Sequence, residues 1–190
     1  MSPEIQDTIV AVSSPSGRSL HAIIKISGPE AIPCMKDFFI PTSHIDFGVV
    51  PAYTSIAGNI HVMEEGINIP AVLYIMKQPY SYTKEDVVEI HTPGSPMVLE
   101  MLLSSILSKG IQVKRNIRLS QPGEFTKRAF LHGRIDLTQA EATMRIIRAH
   151  TDAELKVAVA QLTGSVSQQI KRIQDDAVSL CSYIEAAIDF

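Results

Sequence analysis

The hydrophobic pattern of this chain turns from mostly strand-like to wholly helical near Pro122, and that change limits the folds open to it. Before Pro122, apolar and β-branched residues come in short runs broken by Gly and Pro. Such runs are the signature of strands. In the last part of the chain, apolar side chains recur at Leu155, Val159, Leu162, Val166, Ile170, Ile173, Ala177, Cys181, Ile184 and Ile188. Their average spacing of about 3.67 residues draws one face of a nearly straight helix. Strands first and helices after predict an α+β chain with a mostly antiparallel sheet. The expected division is a sheet domain over residues 1–121 and the start of a helical domain over 122–190.

Within the first part, strands are expected at Thr8–Ser13, His21–Ser27, Ser55–Val62, Ala71–Met76, Asp86–His91 and Ile111–Leu119. Period-two alternation puts Ala22, Ile24 and Ile26 on one face of the second run and His21, Ile23 and Lys25 on the other. The same alternation sets Val88 and Ile90 against Val87, Glu89 and His91. An acidic turn, Glu64-Glu65-Gly66, separates the middle strands. A short helix over Glu30–Phe39 is weakened by Pro33. A longer one over Pro96–Ser108 carries Val98, Met101, Leu102 and Ile106 as its stripe, and Gly110 closes it. Beyond Pro122, Asp136 or Thr138 can cap a helix reaching about His150, with Thr138-Gln139-Ala140-Glu141 as a capping-box pattern. One long helix from about Asp152 to Ile188 follows. A helix of that length in a small chain calls for another helix or a partner subunit to pack on.

Charge and motif content exclude several function classes. The net charge is −3, which argues against a dedicated nucleic-acid binder. The charge is uneven, however. Residues 112–150 hold Lys114, Arg115, Arg118, Lys127, Arg128, Arg134, Arg145 and Arg148 against Glu124, Asp136 and Glu141. This stretch is either a surface that attracts nucleic-acid phosphates or a set of solvated faces. Cys34 and Cys181 form no CxxC pattern, as in a reduced cytosolic chain. The polar first residues lack the regions of a signal peptide, and no apolar run is long enough to span a bilayer. GxxxxGK[ST] and GxGxxG are absent, so the sequence gives no basis for nucleotide binding by this chain. The six histidines have no zinc spacing, and no nucleophile elbow occurs. Neither a metal ligand nor a catalytic residue is expected.

Four segments together resemble one family, the tRNA wobble-uridine modification GTPases of the MnmE/TrmE type. They are DTIVAVSSPSGRSLHAIIKISGP (Asp7–Pro29), PYSYTKEDVVEIHTPG (Pro79–Gly94), PGEFTKRAFLHGRIDLTQAEA (Pro122–Ala142) and SYIEAAIDF (Ser182–Phe190). The resemblance implies an amino-terminal domain similar to the tetrahydrofolate-binding domain of aminomethyltransferases. It also implies a helical domain into which the GTPase domain is inserted. The sequence stops at Phe190, a little before that insertion would begin. GTP, magnesium and potassium would therefore belong to a full-length member. As the resemblance has it, this portion binds 5-formyltetrahydrofolate or 5,10-methylenetetrahydrofolate, forms a homodimer and works with an FAD-dependent partner on the tRNA wobble uridine.

The resemblance also carries three cofactor-binding positions onto this chain: Lys25, Glu89 and Arg134. Only the glutamate matches the family residue. Lysine stands at position 25 where the family has arginine, and arginine at 134 where it has lysine. Glu89 is the strongest of the three on physical grounds, because a carboxylate accepts both adjacent N–H donors of a pterin edge at once. The bland alternative is an edge-strand glutamate facing water. Lys25 and Arg134 are the groups available to the glutamyl carboxylates. Lysine there is a point charge and arginine a planar fork. The bland alternatives are a snorkelling strand lysine and a helix-entry cation.

Other departures fall in loops: Thr92-Pro93-Gly94-Ser95 for a His-Gly-Gly turn, Lys84 for the glycine of SYTGED, and Ser19-Leu20 for the paired glycines of GRGG. The departures at Lys25, Pro93 and Arg134 leave room for a second hypothesis, a dimerisation module that has lost folate. A free-standing aminomethyltransferase is disfavoured by the short chain and by the helical segment.

Overall fold

A computed structural model describes residues 7–62, 66–112 and 115–188. Glu64, Glu65 and Lys114, and with them most of the acidic turn and one cation of the basic stretch, lie outside the described residues. The chain forms two compact units, one ending at Arg134 and one beginning at Ile135.

The first unit is built on a seven-stranded sheet with strands β1 (Thr8–Val12), β2 (Ser19–Ser27), β3 (Phe39–Pro41), β4 (Tyr53–Val62), β5 (Ile67–Met76), β6 (Val87–Gly94) and β7 (Ile117–Leu119). Their spatial order is β3-β4-β5-β6-β2-β1-β7. Every pairing is antiparallel except β1 with β7. The α+β class and the mostly antiparallel sheet agree with the sequence pattern. Helices α1 (Ala31–Phe38), α2 (Pro96–Gln112) and α3 (Glu124–Leu131) complete the unit.

The register explains the core. Ile56, Leu73, Ile90 and Ile24 face one another across four strands. All are buried and pack with Met35 and Phe38 of α1 and Leu102 and Ile106 of α2. Removing these branched side chains from water is the main force holding the layer together. The next rung over, on the opposite face, runs Ser55–Tyr74–Glu89–Lys25–Ala11. One face is thus aliphatic and helix-covered, while the other carries polar and aromatic groups.

Two elements differ from the sequence expectation in an instructive way. Gly110 does not end α2, and the strand expected from Ile111 begins only at Ile117. Gly110 is a contact glycine inside the helix. A Cβ there would sit 3.3 Å from Cβ of Ile117, so its missing side chain lets β7 approach. In the second unit, the expected single helix from Asp152 to Ile188 is two helices, α5 (Asp152–Leu162) and α6 (Ser165–Ile188), preceded by α4 (Leu137–Arg148). Gly164 adopts φ +82° between them, a left-handed residue that ends a helix. The apolar period runs straight across this break, which is why periodicity missed it.

Asp136 caps α4. Its carboxylate accepts from Gln139 N while the Gln139 side chain accepts from Asp136 N. The capping box is therefore Asp136–Gln139 rather than Thr138–Glu141. No described helix is long and apolar enough to cross a membrane.

Candidate functional site

β6 pairs with β2 on one side and β5 on the other, so Glu89 is a mid-sheet residue and not the water-facing edge glutamate of the alternative. Lys25 lies directly opposite it in the register. The Lys25 Nζ stands 3.0 Å from Glu89 Oε1, and His91 Nε2 stands 3.3 Å from Glu89 Oε2. All three side chains are roughly one-quarter exposed, at 25%, 22% and 30%. The carboxylate is therefore held from both sides in a partly dry setting. Burial pushes its pKa up, but the hydrogen bonds from Lys25 and His91 outweigh burial and leave it below the ordinary value. Glu89 remains an ionised acceptor. The Lys25 ammonium also lies 5.9 Å from the centroid of the Phe125 ring, within cation–π range.

Beside this pair the sheet face dips into a cavity of about 400 Å³ lined by Tyr53, Ser55, Tyr74, Met76, Glu89 and His91 among others. That volume falls within the range of small-molecule sites. Tyr74 and His91 approach with ring centroids 4.5 Å apart and planes at 56°. Period-two alternation from Glu89 and its cross-strand neighbour could have found both residues. Neither was singled out from the sequence as a site residue.

Arg134 is the last residue of the first unit. It is exposed on the turn after α3, where its backbone N–H donates to Ala129 O at 2.8 Å. Among the described residues its guanidinium has no hydrogen-bonding or ion-pair partner. The structure thus joins Lys25 to Glu89 by an ion pair, and among the described residues no such contact links Arg134 to either.

The most specific sequence segment does something else as well. Arg128 of α3 is 1% exposed. Its Nη1 donates to Asp7 O at 2.9 Å and to Glu85 Oε1 at 3.0 Å. Its Nη2 donates to Asp7 Oδ1 at 2.7 Å and Glu124 Oε1 at 3.1 Å. Arg118 completes the cluster through Asp7 Oδ2 and both oxygens of Glu124. The Arg118 bond, working against burial, pulls the Glu124 carboxyl down to about 2.

Glu85 also accepts from Ser27 Oγ. Lys84 Nζ reaches Gly133 O at 3.0 Å, and His132 Nδ1 lies 2.6 Å from Thr83 O. The loop Ser81–Asp86 and helix α3 are therefore locked together by charge and hydrogen bonds. Lys84, where the resembled motif has glycine, sits at φ 58°.

With this geometry in hand, comparison with known proteins identifies the family. Residues 8–134 match the sequence model described as the GTP-binding protein TrmE N-terminus, and residues 137–190 match the MnmE helical domain. The tRNA modification GTPase MnmE of Carboxydothermus hydrogenoformans is 44% identical over 98% of this chain and 39% of that protein. The proteins of the same name from Natranaerobius thermophilus and Clostridioides difficile are 42% and 41% identical, each with 39% of its length covered. This chain spans about two-fifths of the length of those relatives. It belongs to the TrmE/MnmE family of tRNA modification GTPases and corresponds to the amino-terminal part, running into the helical domain.

Proposed function

We propose that this chain is the portion of a tRNA modification GTPase that holds a one-carbon tetrahydrofolate and brings two copies together for modification of the tRNA wobble uridine in the cytoplasm. Binding belongs to the sheet unit. The observation that carries it is an ionised carboxylate, Glu89, fixed between Lys25 and His91 at the rim of a cavity of about 400 Å³. A pterin edge offers two parallel N–H donors, and a carboxylate is its natural acceptor. The 5-formyl and 5,10-methylene forms share that edge. Lys25 and Arg134 complete the proposed set, with exposed Arg134 as the cation free to meet a glutamyl tail. The protein's part is positioning, and the folate supplies the one-carbon unit. The FAD-dependent partner, and GTP with magnesium and potassium, enter with the remainder of a full-length member.

Dimerisation is supported by exposed apolar side chains at one end of the sheet. Leu20 is 88% exposed and Met97 71%. Leu20 follows Ser19 and Met97 lies three residues after Gly94, the two residues of one β2–β6 pairing, and exposed apolar side chains of this size are candidates for an interaction surface. Sedimentation should give a dimer at micromolar concentration; a clean monomer would contradict this part.

A second reading is a dimerisation module without folate. The Lys25–Glu89 ion pair favours it, because it occupies part of the carboxylate that the ligand needs. Calorimetric titration with 5-formyltetrahydrofolate decides between them. Heat from the wild type and none from Glu89→Ala supports folate binding, while a silent, folded wild type leaves the dimerisation module.

A further inference from the structure

We propose that Tyr74 and His91 form the shelf that seats the flat bicyclic end of the ligand, with His91 also a positioning residue for Glu89. This rests on the folate reading and adds which side chains carry the face of the ring. Lys25 is absent from the cavity lining, whereas Tyr74, Glu89 and His91 all border it. A ligand in the cavity therefore meets Glu89 from the Tyr74 side. Each carboxylate oxygen already accepts one contact, Oε1 from Lys25 and Oε2 from His91. A carboxylate offers roughly four lone-pair sites, so one acceptor position remains on each oxygen. Two remaining acceptors, side by side, match two adjacent N–H donors.

The ring face needs a wall as well as an edge contact. Tyr74 is 42% exposed, on the same face as Glu89 and directly opposite it in the register. His91, two residues along β6, tilts against Tyr74 at 4.5 Å. The two rings brace each other beside the carboxylate and offer an aromatic surface to a flat heterocycle. A smaller side chain at either position removes that surface without opening the aliphatic core, which lies on the other side of the sheet. In this arrangement Lys25 orients Glu89 and is not free for the glutamyl tail.

The test uses the 190-residue chain with two ligands, 5-formyltetrahydrofolate and the tail-less 6-methyltetrahydropterin. Tyr74→Leu and His91→Leu should each weaken both ligands by up to about tenfold, with thermal melting unchanged. His91→Gln restores a donor toward Glu89 but not the ring, so it should recover only part of the loss, and full recovery would remove the His91 ring from the shelf. Wild-type affinity in both leucine variants would overturn the shelf while leaving folate binding intact. A loss for 5-formyltetrahydrofolate without one for the pterin would overturn it too, since the residues would then serve the tail. A wild type that binds neither ligand overturns the folate reading itself.

Discussion

The first unit holds two clusters of the same chemistry, cations against carboxylates, and they are built to opposite ends. Around Arg128, three carboxylates and two guanidiniums are tied to one another and to the backbone. Arg128 itself is almost fully enclosed. Around Glu89, one carboxylate is held by one lysine and one histidine, partly exposed, beside a hollow in the sheet face. The first arrangement uses both terminal nitrogens of Arg128, leaves its buried Nε without a partner, and locks a loop to a helix. The second keeps acceptor capacity in reserve next to space. Saturation and burial, more than the residue types, separate a structural charge cluster from a binding one.

The largest expected effect comes from breaking the enclosed cluster. Arg128→Met leaves Asp7, Glu85 and Glu124 facing one another with one cation fewer. Removing one partner of a buried ionic network costs about 3–5 kcal/mol. Chemical denaturation followed by circular dichroism should show that loss, and a change below about 1 kcal/mol would show the cluster to be incidental. Glu89→Gln is the counterpart. It should shift stability by no more than about 1 kcal/mol, as for other partly exposed pairs. It should also weaken 5-formyltetrahydrofolate by about a hundredfold through loss of charged hydrogen bonds. Equal stability losses in the two variants would erase the distinction.

Acid should act on both clusters in the same direction. Glu124 and Glu89 have folded-state pKa values below their usual 4.5, that of Glu124 at about 2. A depressed carboxyl stabilises the fold fully above its unfolded pKa and loses that contribution as pH falls through the folded value. Stability should therefore decline between about pH 4.5 and pH 2. Glu124→Gln should flatten the decline in denaturant midpoints across that window. An unchanged slope would mean that Arg118 does not hold Glu124 ionised in solution.

Much of this was legible in the sequence, for identifiable reasons. Alternation in β2 and β6 placed Lys25 and Glu89 away from the aliphatic face, because a strand must choose sides residue by residue. What sequence could not give was register. Nothing in HAIIKIS or DVVEIH says that Lys25 lies opposite Glu89, or that Tyr74 of β5 joins the same rung. Arg128 stood in the sequence as one cation of a basic stretch. Its partners Asp7 and Glu85 are 121 and 43 residues away, and only the fold brings them together. The break at Gly164 was visible as a glycine but was hidden by an apolar period that continues through it.

The smallest effect concerns Lys84, at the edge of the enclosed cluster. Its backbone is left-handed at φ 58°, a conformation that costs a residue with a side chain about 1–2 kcal/mol and glycine almost nothing. Lysine returns part of that cost through its Nζ bond to Gly133 O. Lys84→Ala loses the bond and keeps the strain. Lys84→Gly loses the bond and releases the strain, at the expense of extra freedom in the unfolded chain. The glycine variant should therefore be more stable than the alanine variant by about 1 kcal/mol, with wild type near or between them. Alanine matching glycine in denaturant midpoint would show that the loop relaxes out of the left-handed region. In that case the hold of α3 on Ser81–Asp86 would rest on Arg128 and His132 without help from the backbone at Lys84.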